Sequence, residues 1–265
     1  MTPIEESPLV LSLFPGAGLL DRGFEAEGFC VVRGPDTLLG QSIEQFFPTA
    51  GHFSGVIGGP PCQDFSRARR KPPTGHGIRM LKEFVRIVMA TKPDWWLMEN
   101  VPGVPDVHIA GYVTQRFNLF ATEFGLMQKR NRCFQFGSAF GRQLLVLRGS
   151  ESHSGRRAEA VLCGDTKRNF SHLCELQGLP RHFDLPGLSR SAKIRAVGNG
   201  CPVPMARAIA AAIHDRAELD HGLRLCTCGC GRALNGVIRQ KTATPACRKR
   251  MERERRGVTR CAVTA

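Results

Sequence analysis

No stretch of this chain is apolar for long enough to cross a bilayer, and its opening residues, Met1 to Pro8, lack the basic region of a secretory leader. These two absences exclude a membrane partner and predict an unsecreted, cytoplasmic protein. Internal repeats and low-complexity tracts are missing as well. Acids are scarce: 23 Asp and Glu stand against 37 Lys and Arg, a net charge of +14, which points to a polyanionic partner. The imbalance is concentrated, since residues 222–265 hold eleven basic and two acidic residues and so carry +9 of the total. An apolar share of 42% rules out wholesale disorder. A chain of 265 residues builds one sizeable domain and a small appendage. Its eleven cysteines are odd in number and scattered, which fits reduced thiols better than a disulfide framework.

Apolar patterning predicts strands at Leu9–Phe14, Phe29–Val32, Gly55–Gly58, Trp95–Met98 and Cys133–Phe136. Helices are expected after the first strand through Glu27, over Met80–Ala90, and over the alanine-rich Met205–Arg216. Strands alternating with helices imply an α/β fold, a doubly wound and mostly parallel sheet with both faces covered. Ligands in such sheets sit beyond the carboxyl ends of the strands, so the segments following each strand are where chemistry belongs.

Four of those segments carry candidate groups. The turn Leu13-Phe14-Pro15-Gly16-Ala17-Gly18 follows the first strand, where glycines let backbone approach a ligand. Alone it reads equally well as a tight turn. Asp36, about twenty residues on, adds an acceptor for ribose hydroxyls. The pair suggests a nucleoside-containing cofactor with Phe14 against its base. Gly58-Gly59-Pro60-Pro61-Cys62-Gln63 places a thiol on a proline-stiffened loop. Ser66, Arg67, Arg69, Arg70 and Lys71 follow it, where positive charge favours a thiolate and suits phosphate. Glu99-Asn100-Val101 puts an acid at a buried strand end, costly unless paired or functional. Gln128-Lys129-Arg130-Asn131-Arg132 enters the last strand with two arginines spaced to share a strand face.

The order and spacing of these motifs resemble the DNA cytosine-5 methyltransferase family across about residues 9–213. Pro-Pro-Cys-Gln is followed by Glu-Asn-Val, Glu99 lying 37 residues after Cys62, and later by Gly198-Asn199-Gly200 with Pro202 and Pro204. The segment Arg168–Phe183, with Glu175-Leu176-Gln177-Gly178, is similar to the family's stretch before that last motif. The resemblance implies a Rossmann-like, S-adenosylmethionine-dependent enzyme. Cys62 would attack cytosine C6, Glu99 would protonate N3, Arg132 would hold O2, and Arg130 would support the site. Phe14, Gly16, Gly18, Asp36, Pro61 and Asn199 would bind the cofactor. Double-stranded DNA is the implied partner, a monomer the expected state, and a bacterial or phage origin with a restriction-modification setting the implied context. An RNA cytosine methyltransferase and an inactive nucleic-acid-binding homologue stand as alternatives, the second opposed by the intact Cys62, Glu99, Arg130 and Arg132.

Two departures from the family stand out. Gln41 and Ser42 occupy the place of an acid that contacts adenine, a contact the amide carbonyl of Gln41 could still make. Only 138–167 separates the arginine strand from the late motifs, too little for a full target-recognition domain. The expected organisation is therefore a catalytic domain over 1–216 and a basic tail over 217–265. Within the tail, Cys226, Cys228, Cys230 and Cys247 form a candidate zinc site resembling small zinc-ribbon ends, although the usual Cys-x2-Cys knuckle is absent. Free thiols on a disordered basic tail are the competing reading. Arg248 to Arg256 reads as a basic helix suited to phosphates.

Overall fold

The computed structural model describes residues 7–69, 71–149, 158–162 and 164–214, and beyond them 245, 248–249, 251–252 and 262–264. Its strands are β1 (Leu9–Leu13), β2 (Cys30–Arg33), β3 (Gly55–Gly58), β4 (Trp95–Asn100), β5 (Asp106–His108), β6 (Val113–Phe120), β7 (Gln128–Lys129), β8 (Asn131–Ser138), β9 (Ala158–Glu159) and β10 (Ala262–Thr264). Its helices are α1 (Leu19–Glu25), α2 (His76–Thr91), α3 (Phe170–Leu176), α4 (Arg190–Asn199) and α5 (Val203–His214).

Six strands form the central sheet in the order β2-β1-β3-β4-β8-β6. β1, β2, β3 and β4 run parallel, and β8 is antiparallel to both β4 and β6, so the sheet is mixed but mostly parallel, with β8 the one reversed strand of the six. Continuous apolar runs mark strands buried on both faces, and Val10, Leu11 and Leu13 of β1 are wholly buried. On one face Phe24 of α1 and Met205, Ile209 and Ile213 of α5 pack with Leu97, Phe117 and Phe134. On the other, Leu81, Phe84 and Val88 of α2 pack with Val56, Trp96 and Met98. Glycine sets how closely α1 and α5 approach. A Cβ at Gly23 would lie 2.4 Å from the Cβ of Ala206.

The connection from β4 to β6 joins two parallel strands through residues 101–112, with β5 in place of a helix. Arg116 of β6, 8% exposed, donates to the carbonyls of Pro102, Val104 and Pro105 and to Asp106 Oδ1 at 2.6–3.3 Å. Gln135 of β8 donates to Pro105 O and accepts from Val107 N. Two buried side chains thus satisfy backbone groups that a helix would have bonded internally. β10 adds a parallel partner to β5.

Of the short insert, residues 139–149 and 158–162 belong to this body. Leu144 and Val146 are buried against the face that carries α5, and Val161 is buried beside Leu173 and Ile194. Sequence patterning missed β5, β6, α3 and α4. Among the described residues no helix is long and apolar enough to cross a membrane.

Candidate active site

The carboxyl ends of β1, β2, β3 and β4 open on one edge of the sheet. The amino end of β8 joins them because that strand is reversed. A cavity of about 620 Å³ lies there, lined by Phe14, Gly16, Asp36, Pro61, Cys62, Glu99, Arg132 and Asn199 among others. That volume suits a small-molecule site.

After β1 the chain turns sharply. Phe14 has φ 54, a region that bulky residues rarely enter, and Gly16 has the same φ. Gly16 N donates to Asp36 Oδ2 at 2.9 Å, and Leu38 N donates to Oδ1 at 2.6 Å, so Asp36 ties the two strand ends together. No protein atom lies within 4 Å of the Cβ position at Gly16, although the residue lines the cavity. Gly18 is outside the lining and starts α1, its N–H bonded to Pro15 O. Gln41 and Ser42 line the cavity with Ile43, whose carbonyl accepts from Arg86 at 2.9 Å. Glu44 and Arg79 close an ion pair at 3.1 Å beside them.

The thiol of Cys62 and the carboxyl of Glu99 share the inner end. Arg132 Nε lies 2.8 Å from Glu99 Oε1, an ion pair with side chains 13% and 8% exposed. The same Oε1 is closed to solvent, and the Arg132 guanidinium is its partner. Burial pushes the Glu99 carboxyl up, against the pull of Arg132 and Arg130. Burial also raises the Cys62 thiol, with Glu99 adding to the rise and both arginines opposing it. This corrects the thiolate expected from the loop cations. Arg67, Arg69 and Lys71 are exposed and outside the cavity lining, and the cations that reach Cys62 are Arg132 and Arg130. Ser66 Oγ accepts from Ala68 N, and Arg69 donates to Asp64 O. Arg70 lies outside the described residues, as do Cys226, Cys228, Cys230 and Cys247. Among the described residues no cluster of metal-binding side chains forms.

The two arginines of the Gln-x-Arg-x-Arg motif diverge in task. Arg132 faces the cavity. Arg130, 1% exposed, sits between β7 and β8 and donates to Val161 O, Gly198 O and Gly200 O at 2.7–2.8 Å. Its burial lowers its pKa to about 9. Gln128 donates to Gln177 Oε1 at 2.8 Å, and Gln177 in turn donates to Val197 O and Gly200 O. This clasp carries Asn199 to the cavity wall, and only the motif spacing hinted at it. Sequence reasoning gave Asn100 no role of its own within its motif; its amide donates to Pro60 O at 2.9 Å and so holds the Cys62 loop to β4. Cys201 went unnoticed, a buried thiol in the cavity wall pushed far up by burial.

These features define an α/β fold with a cavity at the strand ends and a thiol, a carboxyl and a guanidinium in its wall. Solved structures share the fold. A methyltransferase of Entamoeba histolytica superposes with a TM-score of 0.61 at 11% identity, covering 80% of this chain and 99% of that one. A DNA modification methyltransferase encoded within an E. coli prophage gives 0.58 at 16% identity over 79% of this chain and 99% of that one. In sequence, the Type II methylase M.HgiDII of Herpetosiphon aurantiacus is 27% identical over 61% of this chain and 55% of its own length. The Type II methyltransferase M.SacI of Streptomyces achromogenes is 33% identical over 47% of this chain and 36% of its own. The chain thus spans roughly half or less of the length of these relatives. Residues 41–156 match the model of the C-5 cytosine-specific DNA methylases. Over that stretch, somewhat under half of its length, the chain is similar to that family.

Proposed function

We propose that this protein methylates C5 of cytosine in double-stranded DNA, using S-adenosylmethionine. The observation that carries this reading is the meeting of Cys62, Glu99 and Arg132 at the inner end of a cavity that Phe14, Gly16 and Asp36 line farther out. The cofactor fits the residues present: a ring at Phe14, an acid at Asp36, and open space over Gly16. When bound, it supplies an electrophilic methyl group on a sulfonium.

Cytosine C5 is a weak nucleophile, and the chain's own groups change that. Cys62 Sγ, having lost its proton, forms a bond to C6, while Glu99 delivers a proton to N3 so that the ring gains no net charge. The electron pair then resides on C5, which takes the methyl group. Loss of the C5 proton to a base expels Cys62 Sγ from C6 as thiolate, and N3 returns its proton to Glu99, which leaves a neutral 5-methylcytosine. Arg132 holds the base's O2 and fixes the Glu99 carboxyl; a carboxyl raised by burial suits an acid. Arg130 keeps Asn199 in the wall through Gly198 and Gly200, and Asn100 keeps Pro61 there through Pro60. Because C5 is stacked inside a duplex, the base must be flipped out to reach Cys62. Ser66, Arg67, Arg69 and Lys71, on the loop after Cys62, meet the phosphates.

DNA carrying 5-fluorocytosine tests this directly, since fluorine cannot leave as a proton does. A denaturing gel should show a covalent adduct that Cys62→Ala lacks; methylation by Cys62→Ala at the wild-type rate would remove Cys62 from its role. Running duplex DNA beside transfer RNA decides the substrate class. We further infer that Cys226, Cys228, Cys230 and Cys247 offer four thiolates to one structural zinc ion, a donor set of the tetrahedral kind.

A further inference from the structure

The turn that carries Cys62 is gripped from two sides. Phe65 N and Ser66 N both donate to Cys62 O at 3.0 Å, so Phe65 belongs to the same tight turn as the thiol. Its ring lies on Gly77 of α2, where an added Cβ would stand 2.8 Å from Cζ. Its carbonyl lies on Gly103 of the connection between β4 and β5, where a Cβ would stand 2.4 Å from the oxygen. Phe65 is therefore a wedge between two glycine jaws, three residues from the nucleophile.

β10 joins the two jaws. It pairs in parallel with β5, Ala262 to Thr264 against Asp106 to His108, and it also lies against α2. The hydrogen bonds already made fix which groups meet. Val107 gives its N–H to Gln135, and in a strand the N–H and C=O of one residue share a side, so Val107 turns away from β10. The register then leaves the N–H and C=O of Val263 to meet Asp106 and His108. Arg116 and Gln135 hold β5 from one edge, and β10 holds it from the other.

We propose that β10 is a positioning element for the reaction at Cys62. By tying β5 to α2 it keeps both glycine jaws on Phe65 and so fixes where Sγ points. This rests on the methyltransferase reading and deepens it, by adding a remote part to the machinery of that site. A displacement of about 1 Å at a reacting atom costs on the order of a hundredfold in rate, so a distant brace can govern turnover without touching a ligand. β10 also follows directly on a stretch holding Arg250, Arg253, Arg255, Arg256 and Arg260. The segment suited to phosphates and the strand that steadies Cys62 are one continuous piece of chain.

Two substitutions in the full-length protein test the brace. Val263→Pro removes the N–H that faces Asp106 and leaves every cavity side chain in place. Val263→Thr has nearly the same shape and keeps the N–H. The readouts are turnover on duplex DNA, S-adenosylhomocysteine affinity by calorimetry, and the rate at which iodoacetamide alkylates Cys62, followed on its own peptide by mass spectrometry. Val263→Pro should lower kcat by about tenfold to a hundredfold while leaving S-adenosylhomocysteine affinity within about twofold. It should also speed alkylation of Cys62, and Val263→Thr should match the wild type in all three. An unchanged kcat in Val263→Pro would overturn the proposal, and so would a loss of cofactor-product affinity as large as the loss of kcat, which marks general unfolding. Should Val263→Pro fail to fold, a chain stopped after Cys261 loses the same pairing without a proline and is read in the same way. A wild-type protein that neither methylates DNA nor forms the 5-fluorocytosine adduct would sink the methyltransferase reading instead. Alkylation then decides the brace alone, and equal rates in wild type and Val263→Pro would overturn it.

Discussion

The burial that handicaps Cys62 as a nucleophile equips Glu99 as an acid. Both groups are pushed toward their neutral forms, and the thiol must lose its proton while the carboxyl keeps one. Replacing Glu99 by Gln keeps the shape and removes the transferable proton. Glu99→Gln should lower turnover by about 10² to 10⁴, the usual worth of a general acid, with S-adenosylhomocysteine affinity nearly unchanged. Normal turnover with weak cofactor binding would move Glu99 out of the catalytic set. Stability carries a matching signature. The folded pKa of Glu99 lies above its ordinary 4.5, so the folded state binds its proton more tightly than the unfolded chain does. The stability this contributes is complete below pH 4.5 and is lost as pH rises through the folded value. Urea unfolding across that range should show wild type losing ground to Glu99→Gln as pH increases; a gap independent of pH would contradict the raised carboxyl.

Among the elements, β8 and α4 depend on one side chain. Arg130 supplies three hydrogen bonds to carbonyls of the 161 and 198–200 segments, and no apolar residue can replace them. Arg130→Met should cost about 3–5 kcal/mol in urea unfolding and loosen cofactor binding through Asn199. Arg130→Lys should rescue little, because an ammonium cannot span carbonyls that a planar fork reaches. Full stability in either variant would refute the clasp. Arg130 also marks the limit of what the sequence displays. Its place in a motif was readable, and so was each strand whose apolar run made it a buried one. What it grips lies 31 to 70 residues away, and only folding brings those carbonyls to it. β6 escaped notice because Arg116, Gln115 and Asn118 break its apolar pattern, each polar side chain answering a partner or solvent rather than a period of two. The position of Cys62, Glu99 and Arg132 was legible for a simpler reason: strand ends in an open sheet all face one edge.

At the scale of the whole molecule, charge and reach govern DNA binding. The described part of the insert is packed into the body, which leaves little chain to read flanking bases, and on the proposed function the basic residues of 222–265 are expected to supply affinity without sequence information. Removing the tail outright would also remove Met251 from the core and β10 from β5, so substitution is the cleaner probe. Arg253, Arg255 and Arg256 changed together to Gln should weaken duplex binding and flatten the dependence of log K on log salt by about 0.9 for each phosphate no longer neutralised. Cofactor affinity should stay constant. An unchanged salt slope would show that the tail's charge does not touch DNA.

The close crossing of α1 on α5 has a consequence for how the chain comes off the ribosome. Gly23 and its neighbours emerge first, yet Ala206 is 183 residues behind them. At a translation rate of about 5–20 residues per second, the apolar side of α1 waits roughly ten to forty seconds for its cover. During that interval Leu20 and Phe24 have no α5 to bury them. A nascent chain stalled before residue 203 should therefore be a chaperone client, and the same message released at full length should not.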